Sequence, residues 1–174
     1  MRVIAGTHRG RPLSRPADAR PTADRVREAL FSMLGDVTDA DVLDLYAGSG
    51  ALGIEALSRG AAKAVFVDRA PQAIAAIRAN LDALGIEADV LHMDARAALR
   101  TALARGDAYD LVFLDPPYRR AAGLGRELSE ALPAVLAAGA RVVSESDRRD
   151  PLALGLALAD ERRYGDTVIR IHDT

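Results

Sequence analysis

The chain contains no cysteine. That absence excludes disulfides, cysteine-ligated zinc and every thiol nucleophile at once. Long apolar runs are missing too: nothing approaches the roughly 18–20 uninterrupted apolar residues that a membrane span needs. The N-terminus lacks the apolar core of a signal peptide, so nothing directs the chain out of the cytoplasm. Lysine is almost absent, Lys63 being the only one, in a sequence that favours arginine and alanine throughout. What is present is ordinary for a soluble protein, 49% hydrophobic and 28% charged residues. Its 174 residues are about one domain long and can bury a single sizeable core.

The net charge of −2 is not that of a nucleic-acid binder, but its distribution is uneven. Residues 1–27 hold seven arginines against Asp18 and Asp24, a balance of +5, and the remainder carries −7. A basic arm on an acidic body fits a face that meets a polyanion, and equally a solvated arginine-rich end. Within the arm, residues 2–5 and 11–13 flank Gly6-Thr7-His8-Arg9-Gly10, which reads either as a small hairpin with arginines at its tip or as a disordered tail.

Beyond the arm the pattern becomes regular. Val26, Ala29, Leu30, Met33 and Leu34 form one helical stripe in residues 23–35. Short apolar runs at 42–45, 64–67, 88–92, 110–114 and 140–144 read as buried strands. Alanine- and leucine-rich helical stretches over 51–59, 71–84, 95–105 and 121–138 separate them. Gly60 and Gly85 stand where helix C-termini favour a residue that tolerates positive φ, and Pro71 suits a first helical turn. The alternation implies a parallel sheet covered on both faces. Residues 156–164 and 167–172 read as two more strands joined at Gly165-Asp166. The expected organisation is one α/β unit over residues 36–174, preceded by an extension over residues 1–35.

The run Asp44-Leu45-Tyr46-Ala47-Gly48-Ser49-Gly50-Ala51-Leu52-Gly53 joins the first strand to a helix with the spacing G-x-G-x-x-G, and Asp68 ends the next strand, where it can accept from ribose hydroxyls. Both a nicotinamide cofactor and S-adenosylmethionine fit that pattern. Asp44 separates them. A carboxylate at the end of the first strand repels a pyrophosphate, at a cost that grows as the site dries. It attracts the α-ammonium of a methionine moiety, and the following helix N-terminus favours that moiety's carboxylate. Asp94 is placed for an adenine amino group or as an ordinary helix N-cap.

The apolar run Leu111–Leu114 ends in Asp115-Pro116-Pro117-Tyr118. The C-terminal ends of strands are where ligands sit in an open α/β sheet. Two prolines fix φ and remove two donors, so a carbonyl of the turn stays available to a substrate. An aspartate and a carbonyl converging on an amino group accept both its protons and aim its lone pair. Tyr118 offers a face for stacking an extruded base, worth roughly 1–3 kcal/mol. Arg119 and Arg120 read as a phosphate contact or as a solvated pair. His8, His92 and His172 show no ligand spacing, and no metal is expected.

Asp-Pro-Pro-Tyr is similar to the signature of methyltransferases that act on exocyclic amino groups of adenine and guanine and on glutamine amides. More narrowly, the segments 2–6, 9–11, 20–22, 24–31, 43–60 and 113–118, in that order, resemble the bacterial 16S ribosomal RNA guanine-N2 methyltransferase family called RsmD, over nearly the whole chain. The resemblance implies a class I S-adenosylmethionine-dependent methyltransferase fold, Rossmann-like and seven-stranded, with a terminal antiparallel pair and an N-terminal hairpin for RNA. It implies that Asp115 and Pro116 hold the target amino group while Tyr118 stacks the base. Asp44, Tyr46, Gly48, Gly50, Asp68 and Asp94 would line the cofactor, with Ser49, Arg69, Ala95 and Thr22 beside them. Arg2, Arg9, Arg11, Arg20 and Arg25 are the candidate RNA contacts. The expected partner is 16S ribosomal RNA or a small-subunit assembly particle, met by a cytoplasmic monomer. Adenine-N6 methylation of DNA or RNA is the alternative within the same chemistry. A nicotinamide-dependent oxidoreductase is a more distant one, since it leaves Asp44 and the proline tetrapeptide without a role. Residues 144–158 carry nothing identifiable.

Overall fold

Strands that are apolar along their whole length are stable only where helices cover both faces of the sheet. The computed structural model, which describes residues 1–15, 24–116 and 121–174, has that layering. The elements are α1 (Asp24–Leu34), β1 (Asp41–Leu45), α2 (Ala51–Ser58), β2 (Lys63–Asp68), α3 (Pro71–Leu84), β3 (Asp89–His92), α4 (Ala95–Arg105), β4 (Tyr109–Leu114), α5 (Ala121–Ala131), β5 (Leu136–Asp147), β6 (Ala157–Tyr164) and β7 (Thr167–Asp173). They build one seven-stranded sheet in the order β3-β2-β1-β4-β5-β7-β6. The first five strands run parallel, and β7 is antiparallel to both β5 and β6. Strand order reverses between β1 and β4, which opens the crevice of a doubly wound sheet at their C-terminal ends. Among the described residues no helix is long and apolar enough to cross a membrane.

Alternation along the strands divides the core in two. On one face Val42, Phe66, Leu111, Phe113 and Val143 meet α1, α2 and α3 through Leu30, Phe31, Ile54 and Ile77. On the other, Leu43, Leu45, Val112, Leu114 and Val142 meet α4 and α5 through Ala98, Leu99 and Leu128. The rings of Phe31 and Phe113 lie 5.8 Å apart at 54° and join α1 to the centre of the sheet.

Two expectations need correction. The stretch 121–138 is not one helix. Pro133 has no N–H to donate and its ring crowds the carbonyl four residues earlier, so α5 stops at Ala131 and a single 3₁₀ turn, Leu132–Val135, leads into β5. That strand therefore starts at Leu136, breaks register opposite Tyr109 and Leu111, and bends through Gly139 at φ +74°. In α1 the fully buried face is Arg27, Leu30, Phe31 and Leu34, so the apolar stripe read from the sequence is rotated to admit an arginine. The Arg27 guanidinium donates to the Arg2 carbonyl and, at 3.0 Å, to Asp24. Burial pulls its pKa below the usual arginine value, partly offset by Asp24 and Glu55. Arg27 thus belongs to the core rather than to a basic surface.

Residues 1–15 are a folded arm. An isolated bridge pairs Arg2 with Pro12, Val3 N–H donates to the Arg11 carbonyl at 3.0 Å, and Val3 and Leu13 are buried in the first core. The arm is gripped by two polar residues of α2, one turn apart. The buried Glu55 carboxylate accepts from the N–H groups of Ile4 at 2.7 Å and Ala5 at 3.0 Å and pairs with Arg59. Ser58 accepts from the His8 N–H through its hydroxyl, which in turn donates to the Ala5 carbonyl. The Ser58 carbonyl, orphaned at the helix C-terminus, takes the Thr7 N–H at 2.8 Å.

Gly6 makes that contact feasible: its φ is +80°, and a Cβ there would lie 1.6 Å from the Ser58 carbonyl oxygen. Gly10, at φ +81°, faces open space. Gly10→Ala should therefore cost only its backbone strain, about 1–2 kcal/mol. Gly6→Ala should cost more, about 2–4 kcal/mol once overpacking is added, and should release the arm to protease. Denaturant unfolding and limited proteolysis of the two variants check this; equal losses would contradict the close approach.

Candidate active site

The glycine loop lies at the C-terminal end of β1, inside the crevice. Its conformation is specified by backbone geometry and by two aspartates. Tyr46, Gly48 and Gly50 all have positive φ, at 62°, 58° and 77°. For Tyr46 that conformation costs about 1 kcal/mol or more. It turns the ring toward the second core, near Asp94, Arg69 and Glu127, and burial pushes the phenol up to about 12. The Asp68 carboxylate accepts from Gly48 N–H at 2.9 Å and from Ala70 N–H at 2.8 Å. Asp44 accepts from Gly53 N–H, in the first turn of α2, at 3.0 Å.

The three glycines do different work. A Cβ on Gly48 would meet only the Tyr46 carbonyl at 4.0 Å, so this peptide is open to a ligand. On Gly50 it would press on Ile77 and Phe66 at 3.3 Å, and on Gly53 it would strike the Phe66 ring at 2.4 Å. The last glycine therefore serves the packing of α2 on β2. Ser49 is half-buried between the first two, Arg69 is exposed after β2, and Ala95 is buried in the first turn of α4. Asp94 caps α4, accepting from Ala97 N–H at 2.9 Å, so the cap is the role its geometry displays.

Across the crevice, β4 delivers Asp115, partly exposed, and Pro116, buried. Ser144 pairs with Leu114, so Glu145, 9% exposed, follows on β5 beside Asp115. Burial first, then the charges of Glu145 and Asp44, push the Asp115 carboxyl well above its ordinary range. Asp44 is raised to about 7 by burial, reinforced by Asp68 and opposed by the Gly53 hydrogen bond. Acidic side chains from β1, β2, β4 and β5 thus crowd one edge of the sheet.

That donor set suits a cation. It fits S-adenosylmethionine, whose sulfonium and ammonium carry positive charge where Asp44 and Asp115 repel, and it opposes a pyrophosphate. Asp44 would hold the methionine ammonium, the open Gly48 peptide the methionine end, and Asp68 the ribose, each carboxylate oxygen having a second lone pair.

The structure brings together Asp44, Tyr46, Gly48, Ser49, Gly50, Asp68, Arg69, Asp94, Ala95, Asp115 and Pro116 at this edge. Thr22, Arg20, Tyr118, Arg119 and Arg120 lie outside the described residues. Arg2, Arg9, Arg11 and Arg25 are exposed on the arm and α1, with Arg11 also donating to the Ala83 carbonyl at 2.8 Å. Sequence reasoning missed Glu55, Asn80 and Glu145. Glu55 and Asn80 are 1% and 2% exposed, and their signal was a polar residue on the core-facing stripe of an amphipathic helix. Nothing comparable marked Glu145, which sits in a strand read as ending at residue 144.

A family model described as conserved hypothetical protein 95 matches residues 1–173. The chain is 39% identical over 185 aligned positions to the Bacillus subtilis protein YlbH, provisionally named an rRNA methyltransferase, covering 99% of this chain and 98% of that protein. It is 44% identical over 124 positions to the Escherichia coli ribosomal RNA small subunit methyltransferase D, covering 69% of this chain and 61% of that protein. Among solved structures, the Escherichia coli protein yhhF, provisionally named a methyltransferase, is 37% identical with a TM-score of 0.87 over 99% of this chain and 97% of that one. At 22% identity and a TM-score of 0.71, covering 91% of this chain and 44% of that one, the fold alone is shared with the Thermus thermophilus 16S rRNA N2 G1207 methyltransferase RsmC, solved with AdoMet and guanosine. With its fold that of S-adenosylmethionine-dependent methyltransferases, the chain belongs to the conserved hypothetical protein 95 family, the RsmD-like family.

Proposed function

We propose that this protein transfers a methyl group from S-adenosylmethionine to the exocyclic N2 of a guanine in 16S ribosomal RNA. The observation that carries the reading is the pairing of Asp115-Pro116 at the end of β4 with the Asp44 glycine loop at the end of the adjacent β1. An amino-group acceptor and a cation-favouring loop face one crevice.

The bound cofactor supplies an activated methyl carbon. The chain supplies position, which accounts for much of the rate in a displacement of this kind. The Asp115 carboxylate and a carbonyl of the proline turn accept the two amino protons and direct the nitrogen lone pair, and Tyr118 stacks the base. As the nitrogen gains the methyl group it becomes a strong acid, and Asp115, whose affinity for a proton is already raised by burial and by Glu145 and Asp44, takes the proton it sheds. The names of the relatives support ribosomal RNA as the acceptor. The exposed arginines of residues 1–35 support an RNA contact there, with residues 36–174 carrying the transfer.

Asp115→Asn should lower turnover by about 10²–10⁴ and leave affinity for S-adenosylhomocysteine, which lacks the sulfonium charge, nearly unchanged. Nucleoside mass spectrometry on unmodified 16S RNA and on small-subunit particles is the readout. New N2-methylguanosine that depends on Asp115 is the expected result, and methyladenosine in its place would overturn the substrate while keeping the chemistry.

Because Asp44 holds its proton up to about pH 7 in the free protein, binding an ammonium beside it requires that proton to leave. Affinity should thus rise about tenfold per pH unit below 7 and flatten above it. Calorimetry with S-adenosylhomocysteine should show this acid limb in the wild type and lose it in Asp44→Asn; an unchanged limb would remove Asp44 from the ammonium site.

Replacing Arg9 and Arg11 by alanine should weaken RNA binding and reduce the slope of log affinity against log salt by about 1 per lost phosphate contact. Identical slopes would take the arm out of the RNA interface.

A further inference from the structure

Asn80, on α3, is nearly fully buried at 2% exposure and uses three of its four amide hydrogen-bonding positions on two distant stretches of backbone. Its Oδ1 accepts from the Ser14 N–H at 2.8 Å, and its Nδ2 donates to the Ser14 carbonyl at 2.9 Å and to the Ser49 carbonyl at 2.9 Å. One planar amide therefore holds both main-chain polar groups of Ser14, at the root of the arm, and the peptide at the tip of the glycine loop. The other end of the arm returns to the same loop, where the Ser49 hydroxyl donates to Met1 Sδ at 3.9 Å. Ser49 lies between Gly48 and Gly50, both at positive φ, so its carbonyl direction is tied to the conformation of the loop that faces the crevice.

We infer that Asn80 is a positioning residue that couples the glycine loop to the arginine-bearing arm, so that a ligand seated in the loop fastens the arm to the body. The inference rests on the reading of this loop as the S-adenosylmethionine site. A ligand that orders the Gly48–Gly50 turn fixes the Ser49 carbonyl. That stabilises the Asn80 amide in the orientation that also holds Ser14, and through Ser14 it disfavours local opening of the arm. By reciprocity, whatever holds the arm closed must tighten ligand binding by the same factor. The arm carries Arg2, Arg9, Arg11 and Arg15, all exposed, so the device would hold that arginine pattern more firmly for an RNA when the cofactor site is filled.

Amide hydrogen exchange of residues 1–15, followed with and without saturating S-adenosylhomocysteine, tests this without any RNA or turnover. In the wild type the ligand should slow exchange across the arm by about fivefold or more. In Asn80→Ala and in the near-isosteric Asn80→Asp, which loses both donors, the arm should exchange at one rate with and without ligand. Affinity for the ligand, measured by calorimetry, should fall by the same factor. Leu99→Ala, a core truncation in α4 on the opposite face of the sheet, serves as the stability control. It should speed exchange generally yet preserve the ligand-dependent ratio, because it leaves the Asn80 contacts in place. A role confined to stability would make Asn80→Ala behave like Leu99→Ala, and that result overturns the inference. Equal arm exchange in the wild type with and without ligand, under conditions where calorimetry shows the loop saturated, also overturns it while leaving the cofactor reading intact. No binding of S-adenosylhomocysteine at all would overturn the cofactor reading, and the inference with it.

Discussion

Parallel strands impose one constraint from which the site follows. Each can be joined to the next only by a crossover that returns the chain to the starting edge, so every strand of β1–β5 delivers its C-terminal residue to the same rim. In this chain those residues are acidic with unusual regularity. Asp44 and Asp68 belong to the last turns of β1 and β2, Asp94 follows β3, Asp115 follows β4, and Glu145 lies near the end of β5. Far apart in sequence, they become neighbours because the topology allows them nowhere else.

Crowding carboxyl groups at a half-dry rim is unfavourable in isolation. Burial first, and then the neighbouring carboxylates, raise the pKa values of Asp44 and Asp115, since protonation is how a buried acid relieves that cost. The hydrogen bonds that Asp44 and Asp68 accept offset a part and also dictate the loop's shape, so the same groups that strain the free protein organise the glycine turn. A ligand carrying positive charge at two points converts mutual repulsion into attraction. This favours a sulfonium cofactor over a dinucleotide more sharply than the glycine spacing does, because the spacing only describes room for a backbone to approach.

Strand and helix positions were legible because both are written in local periodicity, and the two-sided burial of the sheet left strong apolar runs. Where reading failed, a nonlocal partner or a single steric effect had decided the outcome. Pro133 ended a helix inside an otherwise helical composition. Arg27 was drawn inward by Asp24 and the Arg2 carbonyl, neither of which a periodicity can see. The placement of the candidate site at the strand ends was legible at Asp44, Asp68 and Asp115, since strand ends adjoin recognisable loops. Glu55 and Asn80 were not, because they satisfy backbone groups 31 to 66 residues away. The arm remained ambiguous for the same reason: its own sequence encodes a turn, but what fixes it is written in α2 and α3.

That separation has a temporal side. The arm leaves the ribosome before the residues that hold it: Glu55, Ser58 and Asn80, which satisfy its backbone, are synthesised at least 50 residues later. Loop closure over that span must precede any of these contacts. A nascent chain therefore exposes its cluster of arginines, without a fixed shape, until α3 has emerged and docked. The arm is made before the helices that hold it, so its ordering reports that α2 and α3 have formed and packed beneath it.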